Sequence, residues 1–415
     1  MKSEFVVLGA GMVGICVALH LRKRGREVIL VDRRGAAEET SFGNAGMIQR
    51  EAVFPHPFPQ KFADLLRYAR NRSIDASYHW NALPRIASFM WGYWRNSHPA
   101  RYPQVVASYA KLIEHCVAEH DALAAESGAS MQLRRDGWIR IYRTTGRRDA
   151  GFADAQRAKR EFGVEYRALD AKALQAAEPH LATTLAGGLH WLQPTTVADP
   201  QALALAYLRR FEALGGQFVR ADASTLSPEG DGWTLQSERG RIDAARAVMA
   251  LGPWAKAATQ RLGYDLPLAV KRGYHMHYDV DGDARLNHPI ADTESGYCLT
   301  PMARGMRLTT GVEFALHDAP HTPVQLARAE PAARELFPLG KRRDPEPWLG
   351  ARPATADMLP IIGPAPRHAN LWFAFGHSHQ GFTLGAVTGR LIAEMATGES
   401  PFVDPAPYLA DRFGG

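Results

Sequence analysis

Apolar positions cluster first as Phe5-Val6-Val7-Leu8, which reads as a strand. Val13, Val17 and Leu21 then recur at helical spacing, and a second apolar run, Val28-Ile29-Leu30-Val31, ends at Asp32. Gly9-Ala10-Gly11-Met12-Val13-Gly14 lies where the first strand passes into the helix. The order is strand, glycine-rich turn, helix, strand, acid.

That order is the dinucleotide-binding βαβ unit. Gly9 allows the tight turn, Gly11 lets the backbone approach a pyrophosphate, and Gly14 lets the helix pack on the strand. The free amides and the helix dipole then face the phosphates. Asp32 follows Gly14 by eighteen residues, where a carboxylate accepts hydrogen bonds from a ribose diol. It repels a 2′-phosphate, an exclusion that neighbouring Arg33 weakens.

After Asp32, Thr40 to Met47 is rich in small residues and backbone donors, and is expected to line the bound cofactor. Prolines, histidines and aromatics dominate from Pro55 to Pro103. Within it, Ile86 to Trp94 either packs as a helix inside the protein or dips into a membrane interface. Val105, Val106, Tyr109, Leu112, Ile113, Cys116 and Val117 mark one amphipathic helix. Strands are expected between Met131 and Tyr142, with Asp136-Gly137 as a hairpin turn. Residues 151 to 180 read as helix, short strand, helix. Asp199-Pro200 starts a long helix that Gly215-Gly216 ends, and Gln217–Arg220 and Ala247–Leu251 read as strands. Beyond Pro267 the alternation at Tyr274, Met276 and Tyr278, then at 297–300 and 306–312, predicts an antiparallel sheet. A buried strand, Leu371–Phe375, leads into a helix expected from Phe382 to Met395.

The chain has 415 residues, enough for two domains, with 46% hydrophobic and 22% charged content. Its net charge of +6 is modest. No basic stripe interleaved with aromatics is present, which argues against nucleic acid. The three cysteines, Cys16, Cys116 and Cys298, form no Cys-x-x-Cys pair, so neither a redox pair of that type nor a thiolate metal site is expected. The first strand begins about four residues in, leaving no room for a secretory leader. No apolar run reaches the about 20 residues that span a bilayer. The expected location is the cytoplasm, with contact at the inner face of the membrane through 86–94 as the open alternative.

Four blocks, Gly9 to Asp32, "TSFGNAG" from Thr40, "MALGPW" from Met249, and "GARPATADMLPIIG…GHSHQGFTLG" from Gly350, resemble the FAD-dependent D-amino-acid oxidase and dehydrogenase superfamily. Within it they resemble the bacterial D-amino-acid dehydrogenase and glycine oxidase branch. The resemblance implies an α/β fold: a discontinuous Rossmann-type FAD domain (1–50, 150–262, 346–415) with an interposed α+β substrate domain (51–149, 263–345) containing an antiparallel sheet. It implies FAD contacts at Gly9, Ala10, Gly11, Met12, Val13, Asp32, Arg33, Ser41, Asn44, Ala45, Gly46 and Met47. Ser224, Gly252 and Trp254 fall at the adenosine half, although Ser224 stands where the family has an apolar residue. Gly376, His377, Gln380, Gly381, Phe382 and Thr383 fall beside the flavin. Arg352 matches the arginine that grips a substrate carboxylate, Tyr297 a hydroxyl that assists it, and His379 lies near the flavin as polar lining or as a base. No cysteine occurs from Gly350 to Asp357, where sarcosine-oxidase relatives attach their flavin, so dissociable FAD is expected.

The implied activity is oxidation of the Cα–N bond of a D-amino acid or a cyclic or N-substituted analogue. Hydride passes from Cα to flavin N5, and electrons then go to a quinone or another carrier. A glycine- or sarcosine-type oxidase that uses oxygen and releases peroxide is the alternative. A nicotinamide-dependent flavoenzyme would want a second Gly-x-Gly-x-x-Gly unit, and the later glycine pairs do not form one.

Overall fold

The computed structural model describes residues 1–414. Two large sheets carry the architecture. In the first, parallel strands lie in the order Gln217–Arg220, Val28–Asp32, Lys2–Leu8, Gly240–Met249, with Leu371–Phe375 paired to the last. The central strands read as unbroken apolar runs because both faces are covered. Alternation divides their side chains between two cores: Phe5, Val7, Leu30 and Val248 face one, and Val6, Leu8, Ile29, Val31 and Met249 the other.

Helix Met12–Lys23 follows the first strand and packs against helix Gly385–Thr397. A Cβ on Gly385 would stand 2.6 Å from Met12 Cγ, and one on Gly389 would stand 2.6 Å from the Cys16 backbone. The two helices therefore touch backbone to backbone. The C-terminal helix begins at Gly385, three residues later than the sequence predicts, because 381–384 form turns and the Phe382 carbonyl accepts from His120 Nε2 at 2.9 Å.

The second sheet has eleven strands and is mostly antiparallel. Its spine is Leu268–Val280, which pairs along one edge with Trp348–Thr355. Helix Val324–Leu336 contributes to the core beneath it. Sheet membership crosses the domain boundaries expected above. Tyr166–Asp170, Gly187–Trp191 and Trp348–Thr355, assigned there to the FAD domain, all belong to this sheet.

Two local expectations are corrected. Asp136-Gly137 does not close a hairpin. Leu133–Arg134 pairs with Thr195–Val197 in a separate three-stranded sheet, whereas Trp138–Tyr142 pairs with Gly187–Trp191. The turn thus hands the chain from one sheet to another. The amphipathic helix is two helices, Tyr102–Ile113 and Cys116–Glu126, broken at Glu114-His115 with its buried face continuous through Leu112, Ile113 and Cys116.

Between 55 and 103 lie helices Phe62–Ala69 and Leu83–Asn96. Ile86, Phe89 and Tyr93 point inward, while Trp91 is 62% exposed and stacks on Trp94 with ring centroids 5.0 Å apart. No helix among the described residues is long and apolar enough to cross a membrane.

Candidate active site

A cavity of about 1260 Å³ extends from Asp32 and Trp254 to Arg352 and His379. At one end the glycine turn leaves its strand. Gly9 has φ +101°, and a Cβ there would lie 2.5 Å from the Ala250 carbonyl oxygen, so only glycine fits. Gly11 supplies no side-chain cap to the following helix, so beyond the Met12 amide its amino end is open to an anion. Asp32 is fixed by two amides: Ala10 N–H donates to Oδ2 at 2.7 Å and Arg34 N–H to Oδ1 at 3.0 Å. Met12 N–H donates to Ser41 Oγ at 2.9 Å, tying the next loop to the helix.

That loop is braced from the second sheet. Buried Arg307 donates to the carbonyl oxygens of Phe42 and Asn44, and its Nε donates to His277 Nε2 at 3.0 Å. An arginine only donates, so His277 carries its proton on Nδ1, which faces Asp344 Oδ2 at 2.6 Å. Gly46 N–H donates to Asn44 Oδ1 at 2.8 Å.

At the other end stands Arg352. Its Nη1 donates to the Gly311 carbonyl at 2.9 Å and its Nη2 to that of Thr310 at 3.4 Å. No carboxylate pairs with it among the described residues. Burial pulls its pKa below the ordinary value, with the Cys298 thiol opposing. Lys271 is its partner in strand register. Burial first, then Arg352, brings the Lys271 ammonium down to about 7. The His379 and His56 rings lie 5.0 Å apart. Burial holds both pKa values low, with further lowering from Arg352 and Lys271; His56 sits at about 4. Both imidazoles are neutral near pH 7.

A polar chain adjoins this cluster. Gln380 Nε2 donates to Gln49 Oε1 at 2.7 Å, and Gln49 Nε2 donates to Glu51 Oε1 at 2.9 Å. Trp138 Nε1 donates to the same carboxyl oxygen at 2.8 Å. Glu51 Oε2 has no partner, and burial pushes this carboxyl up to about 7.

A family model described as FAD dependent oxidoreductase matches residues 4–395. The chain belongs to this family. A D-amino-acid oxidase from Bradyrhizobium diazoefficiens is 28% identical over 419 residues, 98% of each chain. A D-amino acid dehydrogenase from Granulibacter bethesdensis is 29% identical over 430 residues, 99% of each chain. Among solved structures, a glycine oxidase from Geobacillus kaustophilus superposes with a TM-score of 0.75 at 20% identity, over 100% of both chains. An L-proline dehydrogenase from P. horikoshii gives 0.76 at 18% identity, over 99% of this chain and 98% of that one. These solved structures share its fold.

The FAD of this family fits the cradle. A turn without room for a Cβ, a helix amino end with no cap from its own Gly11 and an amide-fixed carboxylate lie in sequence along one cavity, the features a pyrophosphate and ribose require. Gly9, Ala10, Gly11, Met12, Val13, Asp32, Arg33, Ser41, Asn44, Ala45 and Met47 line the cavity, as do Ser224, Gly252, Trp254, His377, Gln380, Gly381 and Phe382. Ser224 is held by its amide to Asp222 Oδ1 at 2.8 Å, and the Arg33 guanidinium lies 5.9 Å from the Trp254 ring centre. His377 Nε2 meets Thr388 Oγ1 at 2.9 Å, and burial brings this histidine down to about 3.

Three expected contacts stand back from the cavity. Gly46 abuts the Val197 carbonyl and Gly376 the Thr355 side chain. The Thr383 hydroxyl is spent joining the Met47 carbonyl to the Gln49 amide, each at 3.3 Å. Tyr297 lines the cavity, but its hydroxyl donates to the Ala332 carbonyl at 3.3 Å and sits beside Arg143 and Asp292. Strand alternation brings its neighbour Cys298 to Arg352 instead. The assisting hydroxyl implied for Tyr297 is therefore turned away from Arg352.

Sequence reading missed Lys271, His56 and Glu51. Lys271 carries a signal only once the pairing of its strand with 348–355 is known. His56 belongs to a loop whose prolines and histidines gave no period.

Proposed function

We propose that this protein oxidises the Cα–N bond of a D-amino acid, or of a cyclic or N-substituted analogue, bound through its carboxylate to Arg352. The observation that carries the reading is a half-buried guanidinium without a carboxylate partner, in the same cavity as the dinucleotide cradle. Such a cation is costly to bury unless an anion completes it. The names of the D-amino-acid oxidase and dehydrogenase relatives support the same substrate class.

Bound FAD supplies the acceptor for the hydride that leaves Cα. This chain's residues supply orientation and field. Two of Arg352's five N–H donors are spent on carbonyls, which fixes the guanidinium plane and leaves a fork for a carboxylate. Neutral His379 and His56, with Arg352 and Lys271 beside them, disfavour a further positive charge, so the substrate amine is held in its neutral form. His379 thus serves as polar lining. Water then hydrolyses the imino acid.

The electron acceptor proposed is a quinone or another carrier. Leu65, Tyr68, Leu83 and Met90 line the cavity from the 62–96 segment, whose outer side exposes Trp80 and Trp91. That side is proposed as the contact with a membrane surface, on a protein located in the cytoplasm. A glycine- or sarcosine-type oxidase releasing peroxide is the second reading, favoured by the oxidase name of one relative.

The test is anaerobic bleaching of the FAD-loaded protein by D-amino acids, D-proline, glycine and sarcosine, followed by peroxide yield in air. Bleaching by D-amino acids with little peroxide is expected. Bleaching by glycine or sarcosine alone, with stoichiometric peroxide, would establish the second reading, and no bleaching by any amine overturns both. Arg352→Ala is expected to raise KM by the equivalent of roughly 2–5 kcal/mol with normal FAD content; unchanged KM removes Arg352 as the clamp.

A further inference from the structure

Lys271 has no assigned task in the fold. It lies on the Leu268–Val280 strand directly opposite Arg352 in register, so the two side chains leave the same face about 5 Å apart at Cβ. Gly273, two residues along that face, makes room: a Cβ there would stand 2.3 Å from Arg352 Nη2. The Lys271 ammonium lies 3.9 Å from the centre of the Tyr93 ring, a geometry that favours the cation. Tyr93 is itself pinned, its hydroxyl donating to the His56 carbonyl at 2.5 Å.

The groups facing Lys271 from each neighbouring element are Arg352 on its paired strand, Tyr93 on the Leu83–Asn96 helix, His56 in the proline-rich loop and His379 beyond Phe375. Cys298 stands beside Arg352, and Arg140 acts on both Cys298 and His56. None is a carboxylate, and among the described residues neither cation has an ion pair. Two partly buried cations side by side repel each other, and an anion between them relieves the repulsion.

We infer that Lys271 is the second cation of the substrate-carboxylate site and that it takes up a proton when the carboxylate binds. The inference rests on the carboxylate-binding reading of Arg352. Without an anion, Lys271 sheds its charge to desolvation first and then to Arg352's field. With one, the charged form gains a partner at close range and the proton returns. Binding is thereby coupled to pH, tightening as pH falls toward neutrality.

The probe is benzoate, a carboxylate with no amine to oxidise, titrated into the FAD-loaded protein and followed by flavin absorbance. Calorimetry in two buffers of different ionisation enthalpy counts protons. With Lys271 near 7, uptake is expected to approach one proton per benzoate at pH 8 and to fall toward zero at pH 6. Lys271→Met is expected to abolish the uptake and flatten the pH dependence of Kd. Lys271→Arg, with a permanent charge, is expected to keep the affinity while also losing the uptake. Wild-type uptake that persists in Lys271→Met, or its absence in a wild type that an amino acid bleaches, overturns the inference and leaves the proposed function standing. A wild type that neither binds benzoate nor bleaches with any amine removes both.

Discussion

Burial decides the charge of the ionisable residues around the cavity. His56, His377 and His379 are neutral because desolvation disfavours the imidazolium, and nearby cations add to it at His56 and His379. Glu51 shows the same force on an acid, raised from 4.5 to about 7. The folded state therefore holds its proton more tightly than the unfolded chain. The resulting stability is fully present below about pH 4.5 and is lost as pH rises through about 7, a span worth about 3 kcal/mol. Glu51→Gln is expected to flatten the dependence of stability on pH across that window in denaturant titrations; an unchanged profile assigns the slope to other groups. At the opposite end of the cavity, Gly9→Ala is expected to lose FAD, because a Cβ would meet the Ala250 carbonyl and strain of roughly 1–3 kcal/mol would fall on the phosphate turn. Flavin content after purification measures it. The glycine turn was legible because its constraint is local. Lys271 and His56 were not, because their meaning comes from residues far along the chain.

Elements show the same division. The first strand, helix and second strand were readable because each has its own period and a glycine boundary. The C-terminal helix was readable in its apolar stripe but not in its start, since His120 from a distant helix holds the Phe382 carbonyl in a turn. Asp136-Gly137 carries the composition of a hairpin, yet its flanking strands found partners in different sheets. Turn chemistry specifies a bend and leaves open which strands meet. Helix contact is most sensitive where Met12–Lys23 crosses Gly385–Thr397. Gly389→Leu is expected to destabilise the protein by at least about 1–3 kcal/mol, since a side chain would push into the Cys16 backbone. Flavin content is expected to fall with it, because the same helix carries the phosphate turn. A Tm unchanged from wild type would mean that the helices separate without cost.

At the scale of the whole molecule, the candidate site is assembled from segments near 10, 50, 271, 352 and 380. The 62–96 segment walls one side and turns aromatics outward. Phe62, Leu66, Trp80 and Trp91 are exposed, and Lys61, Arg67, Arg70, Arg85 and Arg95 accompany them with Asp64 and Asp75. Apolar tips within a basic surround suit an anionic lipid surface. The protein is expected to sediment with anionic vesicles in low salt, less so with neutral ones, and Phe62→Ser with Trp91→Ser is expected to release it while anaerobic bleaching by amino acid persists. Equal partition onto neutral vesicles, or none onto either, rules out this surface.

The sequence by itself determined the dinucleotide unit, the alternation of a parallel and an antiparallel region, and the arginine expected to meet a carboxylate. Periods and glycine turns act over a few residues, and chain order preserves them. Only the tertiary structure decided that Lys271 stands beside Arg352, that the Tyr297 hydroxyl turns away, and that Glu51 is sealed from water. Strand register and burial are set by partners far apart along the chain, and desolvation has no value until those partners have closed around the group.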